Sequence, residues 1–333
     1  MTALLEVKDL QVGFPGPQGL VRVIDGLDYR LEHGETLAVV GESGSGKSLQ
    51  ALAIVGLLGT LGAQWLGGSV RLDGRELSGL SPREWAQVRG RQIGFVFQDP
   101  LTALNPLLTV GRQLAMPLQR HLGLRGKALR QRCRELFDQV GIDQAERRLR
   151  QFPWQLSGGQ RQRVLIAMAI ACGPRLLIAD EATTALDVTV QAQIIDLFEQ
   201  LKRELSLGLI WITHDLGVVA RLADSVQVMY AGRIVERAPV DALFHDPRNA
   251  YTLGLLRSLP GFSGGRLQAI PGQPPLPGQA GPGDAFAARN RYRTPRCLLE
   301  RPPLRQVEEG VPGHLCASWY DLRAALAAER VSA

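Results

Sequence analysis

Cysteine is scarce: Cys133, Cys172, Cys297 and Cys316 are four residues in 333, too few and too scattered for a disulfide framework, so a reducing compartment is expected. No stretch of ~18 apolar residues is present, which excludes a chain that crosses a membrane by itself. An N-terminal signal peptide is not expected, since Glu6, Lys8 and Asp9 interrupt the first apolar residues. There is no internal repeat and no heptad run. Charge of one sign is also weak: a net +6 and a pI near 9.4 permit contact with acidic membrane surfaces or nucleic acid and pick out neither. What is present is 45% apolar residues, enough to bury a sizeable core in one large domain or a domain with appendages.

The chain is organised around Gly41-Glu-Ser-Gly-Ser-Gly-Lys47-Ser48, which follows the apolar run Thr36-Leu-Ala-Val-Val40 and precedes a helix-like segment from Leu49 to Leu58. Glycines let consecutive backbone N–H groups turn inward toward phosphate oxygens, and the helix N-terminus adds a favourable partial positive charge. Lys47 would reach the β- and γ-phosphates and the Ser48 hydroxyl would take a place on Mg²⁺. A bare glycine-rich turn is the bland alternative, and the flanking strand and helix argue against it. Alone, the loop implies only a nucleoside triphosphate.

Before the loop, Leu4-Leu-Glu-Val7 and Val21-Arg-Val-Ile24 read as antiparallel strands around the turn Pro15-Gly-Pro-Gln-Gly19. After it, residues 67–74 give a short strand and a turn, and Gln92-Ile-Gly-Phe-Val-Phe97 gives a buried strand ending at Gln98-Asp-Pro100. Residues 110–150 turn helical with a break at 123–126, a helical insertion. Leu156-Ser-Gly-Gly-Gln160 opens a further helix through Ala171, and Leu176-Leu-Ile-Ala179 is an apolar strand ending in Asp180-Glu181. An amphipathic helix over 190–205, a strand Leu209-Ile-Trp-Ile-Thr213 ending at His214, and a hairpin over 225–235 complete an α/β pattern: a mainly parallel sheet with an antiparallel flank. Residues 259–283 are rich in proline and glycine and read as a linker or extended arm outside the core. Beyond them lie six arginines between Arg289 and Arg305 and a last helix over 321–330.

Several chemistry-bearing residues fall at strand ends, where ligands bind in open α/β sheets. Asp180 suits Mg²⁺, Glu181 can orient and polarise an attacking water, and Gln98 and His214 can sense a γ-phosphate. Each has an ordinary alternative, a solvated acidic pair or a structural histidine, but their order behind a phosphate loop makes that hard to sustain together. The run Ser157-Gly-Gly-Gln160 is a second glycine-rich helix N-terminus with its own backbone donors, and one nucleotide does not easily occupy two such sites in one monomer.

This set of motifs resembles the nucleotide-binding subunits of ATP-binding cassette (ABC) transporters, over residues 1 to about 258. The resemblance implies a P-loop ABC ATPase core with an antiparallel β flank, a helical subdomain at about 101–172 and a C-terminal extension over 259–333. It implies that two such domains pair head to tail, the signature of one capping the nucleotide on the phosphate loop of the other. Carried across, Gly41, Ser43, Gly44, Gly46, Lys47 and Ser48 match the phosphate loop, and Gln98 the Q-loop. Ser157, Gly158, Gly159 and Gln160 match the signature, Asp180 the Walker B carboxylate, Glu181 the catalytic glutamate, Asp187 the D-loop and His214 the switch histidine. Ser48, Gln98 and Asp180 are thereby assigned to Mg²⁺, and Phe14 is the candidate to stack on adenine. Ala182 stands where the family usually has proline, which removes a backbone restraint beside Glu181 but no catalytic group.

Phe97-Gln-Asp-Pro100, Leu104-Asn-Pro106, the run from Ala185 to Gln193 and Ile270-Pro-Gly272 look like the dipeptide, oligopeptide and nickel import group. That likeness implies an ATPase powering import of peptides or a similar small solute. It also implies a second, non-identical ATPase subunit, two transmembrane permease subunits, an extracytoplasmic solute-binding protein, and a peripheral place on the cytoplasmic face of a bacterial inner membrane. The charged surface is then for docking and not for nucleic acid; the rival is a soluble ABC ATPase acting on nucleic acid or ribosomes. Many relatives hold an iron–sulfur cluster on four cysteines of the extension. Here Cys297 and Cys316 match two of them, Asp284 and Asn290 stand at the others, and no cluster is expected. Cys133 and Cys172 read as core residues.

Overall fold

A computed structural model describes residues 3–17, 19–184, 186–259 and 268–332; Gln18, Ala185 and residues 260–267 of the expected linker lie outside them. The chain divides into two compact units, one made of residues 1–5, 31–36 and 72–213, the other of residues 6–30, 37–71 and 214–333. Neither coincides with a cut at residue 258.

In the first unit, three largely apolar runs form parallel strands, Ile93–Val96, Leu176–Asp180 and Gly208–Ile212, with the middle one between the others. Their registers pair Val96 with Ala179 and Asp180 with Ile212, so the carboxyl ends lie level. The expected helical insertion is present as Val110–Leu122, Gly126–Gln139 and Ala145–Arg148. Gly123, at φ 65°, ends the first of these helices as expected. The helix Gly158–Ile170 lies on the strand Ile93–Val96 so closely that a Cβ at Gly94 would overlap the carbonyl oxygen of Ala169. The helix Val188–Leu205 turns Ile194, Leu197, Phe198 and Leu201 inward, and Phe198 meets Trp211 edge-on with centroids 4.8 Å apart.

In the second unit the strand Leu5–Gly16 lies between Gly19–Leu31 and Gln64–Leu72. A separate ladder pairs Thr36–Val40 in parallel with Ser225–Tyr230, which pairs antiparallel with Arg233–Pro239. The C-terminal extension continues that ladder: Leu315–Cys316 pairs antiparallel with Arg233–Pro239 and with Arg305–Gln306. One core then serves both regions, since Val40, Tyr230 and Tyr251 pack with Phe286 and Leu322, and half-buried Ile270 of the arm rests against the same cluster. The phosphate-loop helix is shorter than expected. It spans Lys47–Ile54 and gives way at Gly56, φ 63°, to a 3₁₀ turn over Leu58–Leu61. Cys133, Cys297 and Cys316 are buried, whereas Cys172 lies just past its helix and is half-buried.

No described helix is long and apolar enough to cross a membrane.

Candidate functional site

The phosphate loop leaves a buried strand and enters a helix. Its backbone is set by glycines, with Gly41, Gly44 and Gly46 at φ 150°, 79° and 101°. A Cβ at Gly41 would overlap the carbonyl oxygen of Met229 and come within 3.0 Å of Ser45 Oγ, so no other residue fits there. Gly46 stands at the N-cap without any side-chain cap on the helix. The Lys47 ammonium, buried, lies across the loop and donates to the carbonyls of Gly41 (2.8 Å) and Glu42 (2.9 Å). Ser45 Oγ is buried with no hydrogen-bond partner among the described residues. A glycine-set turn at a helix N-terminus with one ammonium lying over it is chemistry that suits a polyphosphate.

Glu42 carries no role in the sequence pattern, yet both oxygens of its carboxylate are bonded to the C-terminal extension. Arg289 donates Nη1 to Oε2 at 2.6 Å and Nη2 to Oε1 at 2.9 Å, a bidentate pair 247 residues apart. Arg289 also reaches Tyr230 Oη at 3.2 Å and the Pro271 carbonyl at 2.8 Å, while the Glu42 N–H donates to Tyr251 Oη at 2.7 Å. The bonds to Glu42 raise the Arg289 pKa above its ordinary value, and burial pushes the Tyr251 phenol up. A cleft of about 920 Å³ meets the loop at Gly44. Its walls include Val21, Val23, Tyr230 and arm residues 275–278, and Phe14, half-buried in Leu5–Gly16, is not among the residues lining it.

In the other unit the level strand ends bring two of the expected residues together: Gln98 Nε2 donates to Glu181 Oε2 at 2.9 Å. Thr184 Oγ1 donates to the same oxygen at 3.2 Å, a partner that no sequence pattern indicated. Glu181 itself holds φ 46°, a left-handed conformation uncommon outside glycine, and its N–H donates to Ile212 O at 2.9 Å. Asp180, buried, ends the middle strand immediately before it. His214, exposed, opens the 214–333 segment of the second unit, just before the helix Leu216–Leu222 that Asp215 caps.

The signature residues form a reciprocal cap: Ser157 Oγ accepts from Gln160 N at 3.3 Å, and Gln160 Oε1 accepts from Ser157 N at 3.1 Å. Gly159 admits the neighbouring helix, since a Cβ there would sit 2.6 Å from Val190 Cγ1. Asp187 caps that helix by accepting from Val190 N at 3.0 Å.

In the extension, Asp284 Oδ1 accepts from Phe286 N and Asn290 Oδ1 accepts from Tyr292 N, so both side chains serve as turn acceptors. Burial raises both Asp284 and Cys316, and for Cys316 the nearby Glu236 adds to it. Among the described residues no group of three or more His, Cys, Asp or Glu is arranged to hold a metal ion.

Two family models match, "ABC transporter" over residues 24–184 and "Oligopeptide/dipeptide transporter, C-terminal region" over residues 235–297. The chain is 48% identical to the oligopeptide transport ATP-binding protein OppD of Bacillus subtilis (strain 168), across 96% of this chain and 89% of that protein. It is 43% identical to AppD of the same organism, across 93% and 95%. A solved ATP-binding cassette, dimeric in a post-hydrolysis state with ADP and Pi bound, superimposes with a TM-score of 0.63 at 28% identity, covering 71% of this chain and 98% of that one.

Proposed function

The chain belongs to the ATP-binding subunits of ABC transporters, in their oligopeptide and dipeptide group, and from that footing we propose that it hydrolyses ATP to drive import of peptides or a similar small solute. The observation that carries this reading is likeness to oligopeptide transport ATPases over nearly the whole chain, extension included, with each expected site residue type in place. The names of the relatives argue against a soluble ATPase acting on nucleic acid or ribosomes. Its partners would be two transmembrane permeases, a second and non-identical ATPase and an extracytoplasmic solute-binding protein, with the chain peripheral on the cytoplasmic face of a bacterial inner membrane.

Residues 1–258 would form the nucleotide-binding part and 259–333 the extension. Gly41, Ser43, Gly44, Gly46 and Lys47 would hold the phosphates of ATP, a role that suits the left-handed glycines and the ammonium lying over the loop. Ser48, Asp180 and Gln98 are the residues we assign to Mg²⁺, which supplies charge neutralisation of phosphate oxygens when bound. Glu181, held by Gln98 and Thr184, would orient the water that attacks the γ-phosphate. His214 and Lys47 would stabilise charge that develops there. Ser157, Gly158, Gly159, Gln160 and Asp187 would face the nucleotide of the partner subunit, and Phe14 is retained as the aromatic for adenine. The extension would carry no iron–sulfur cluster, in keeping with Asp284 and Asn290 being committed to turns.

The test is purification of the complex from membranes in mild detergent, mass spectrometry of what accompanies the chain, and peptide uptake by cells lacking it. Two permeases, a second ATPase and lost uptake are expected. Salt-sensitive DNA or RNA binding without any permease would overturn the reading.

A further inference from the structure

The C-terminal extension reaches the phosphate loop through one side chain. Arg289 is buried to 6% side-chain exposure and lies 5.8 Å from the Tyr230 ring centroid and 5.7 Å from that of Phe286. Its guanidinium is fixed from three sides by Glu42, Tyr230 Oη and the Pro271 carbonyl. A planar fork held this way has one orientation, and so does the carboxylate it grips. The backbone of that gripped residue matters for chemistry: the Glu42 carbonyl is one of two that accept from the Lys47 ammonium, and the Glu42 N–H is tied to Tyr251 Oη. Glu42 thus links the extension to the lysine of the loop, its carboxylate bonded to Arg289 and its carbonyl to Lys47.

We propose that Arg289 is a positioning residue for the phosphate loop, so that the C-terminal extension sets the affinity of this chain for nucleotide. The inference rests on the loop being a nucleotide site. Loss of the fork frees the Glu42 carboxylate, releases its backbone and lets the Lys47 ammonium and the loop donors drift from the arrangement that binds phosphate. A staple that merely fastened the extension would act on stability alone.

The experiment measures binding of a fluorescent ADP analogue with Mg²⁺ to the full-length chain, alongside melting temperature, for wild type and variants. Arg289→Ala is expected to weaken ADP binding about tenfold, as loss of a charge-assisted bidentate pair allows. Arg289→Lys, which keeps the charge but not the fork, should recover only part of that loss and remains informative if the alanine variant does not fold. Glu42→Ala should match Arg289→Ala, and the double variant should lose no more than either single one. His314→Gln is the control for fastening: His314 bonds the buried Glu236 at 2.7 Å and is not part of the path to the loop. It should lower the melting temperature and leave ADP affinity unchanged. Unaltered affinity in Arg289→Ala and Arg289→Lys, or losses in Arg289→Ala and His314→Gln that track stability alike, would overturn the proposal. Wild-type chain that binds no ADP while properly folded would sink the nucleotide site itself and this inference with it.

Discussion

At the scale of single residues, geometry and charge can be separated. Gly41 is required by geometry, because its φ of 150° and the Met229 carbonyl leave no room for a side chain. Gly41→Ala should therefore cost about 1–3 kcal/mol of stability and abolish nucleotide binding, read by calorimetry and by titration with ADP. Asp25 is governed by charge. Burial pushes its carboxyl up, but hydrogen bonds from Arg233 (2.5 Å) and Arg22 (2.8 Å) outweigh this and hold it down at about 2. Arg301 of the extension, at 2.8 Å, adds a third partner. A depressed native pKa contributes stability above the unfolded value near 3.8, and that contribution is lost as pH falls through about 2. Melting curves across this window should show wild type above Asp25→Asn at neutral pH and the two converging at the acid end. A constant gap would assign the effect to packing.

Elements were legible where a local pattern determined them. Continuous apolar runs bounded by turn residues gave the strands that carry Asp180, Gln98 and the phosphate loop, and Gly123 marked the helix end it forms. Apolar residues continue through Leu58 and so suggest a longer helix after the loop, while Gly56 adopts a left-handed conformation that stops it. The strands Arg305–Gln306 and Leu315–Cys316 are two residues each, too short to show any alternation, and exist because a longer edge recruits them. Likewise Arg289 and Glu42 carry no mutual signal across 247 residues; only the folded chain joins them. A prediction belongs to the signature helix at this scale. Gly159→Ala should push its new methyl into Val190 and destabilise the chain by about 1–3 kcal/mol, and Val190→Ala in the same chain should restore most of the loss, as chemical denaturation will show.

For the whole molecule, the proline- and glycine-rich composition from residue 259 suggests a linker or extended arm outside the core, whereas Ile270 of that arm and the residues beyond it pack on the core. Phe286 and Leu322 share a core with Val40, Tyr230 and Tyr251, and Leu315–Cys316 extends the ladder of Arg233–Pro239. A chain truncated after residue 258 should consequently expose that core and aggregate or melt at least 10 °C lower than the full chain, measured by light scattering and thermal unfolding. A truncated chain with unchanged melting would mean the shared core contributes little. Dependence of hydrolysis on Glu181 is read from ATPase activity of the detergent-purified complex, wild type against Glu181→Gln. The variant, which keeps size and hydrogen bonding to Gln98 but loses the carboxylate, should bind ATP and turn over at least a hundredfold more slowly. Hydrolysis by the variant at the wild-type rate would contradict that dependence.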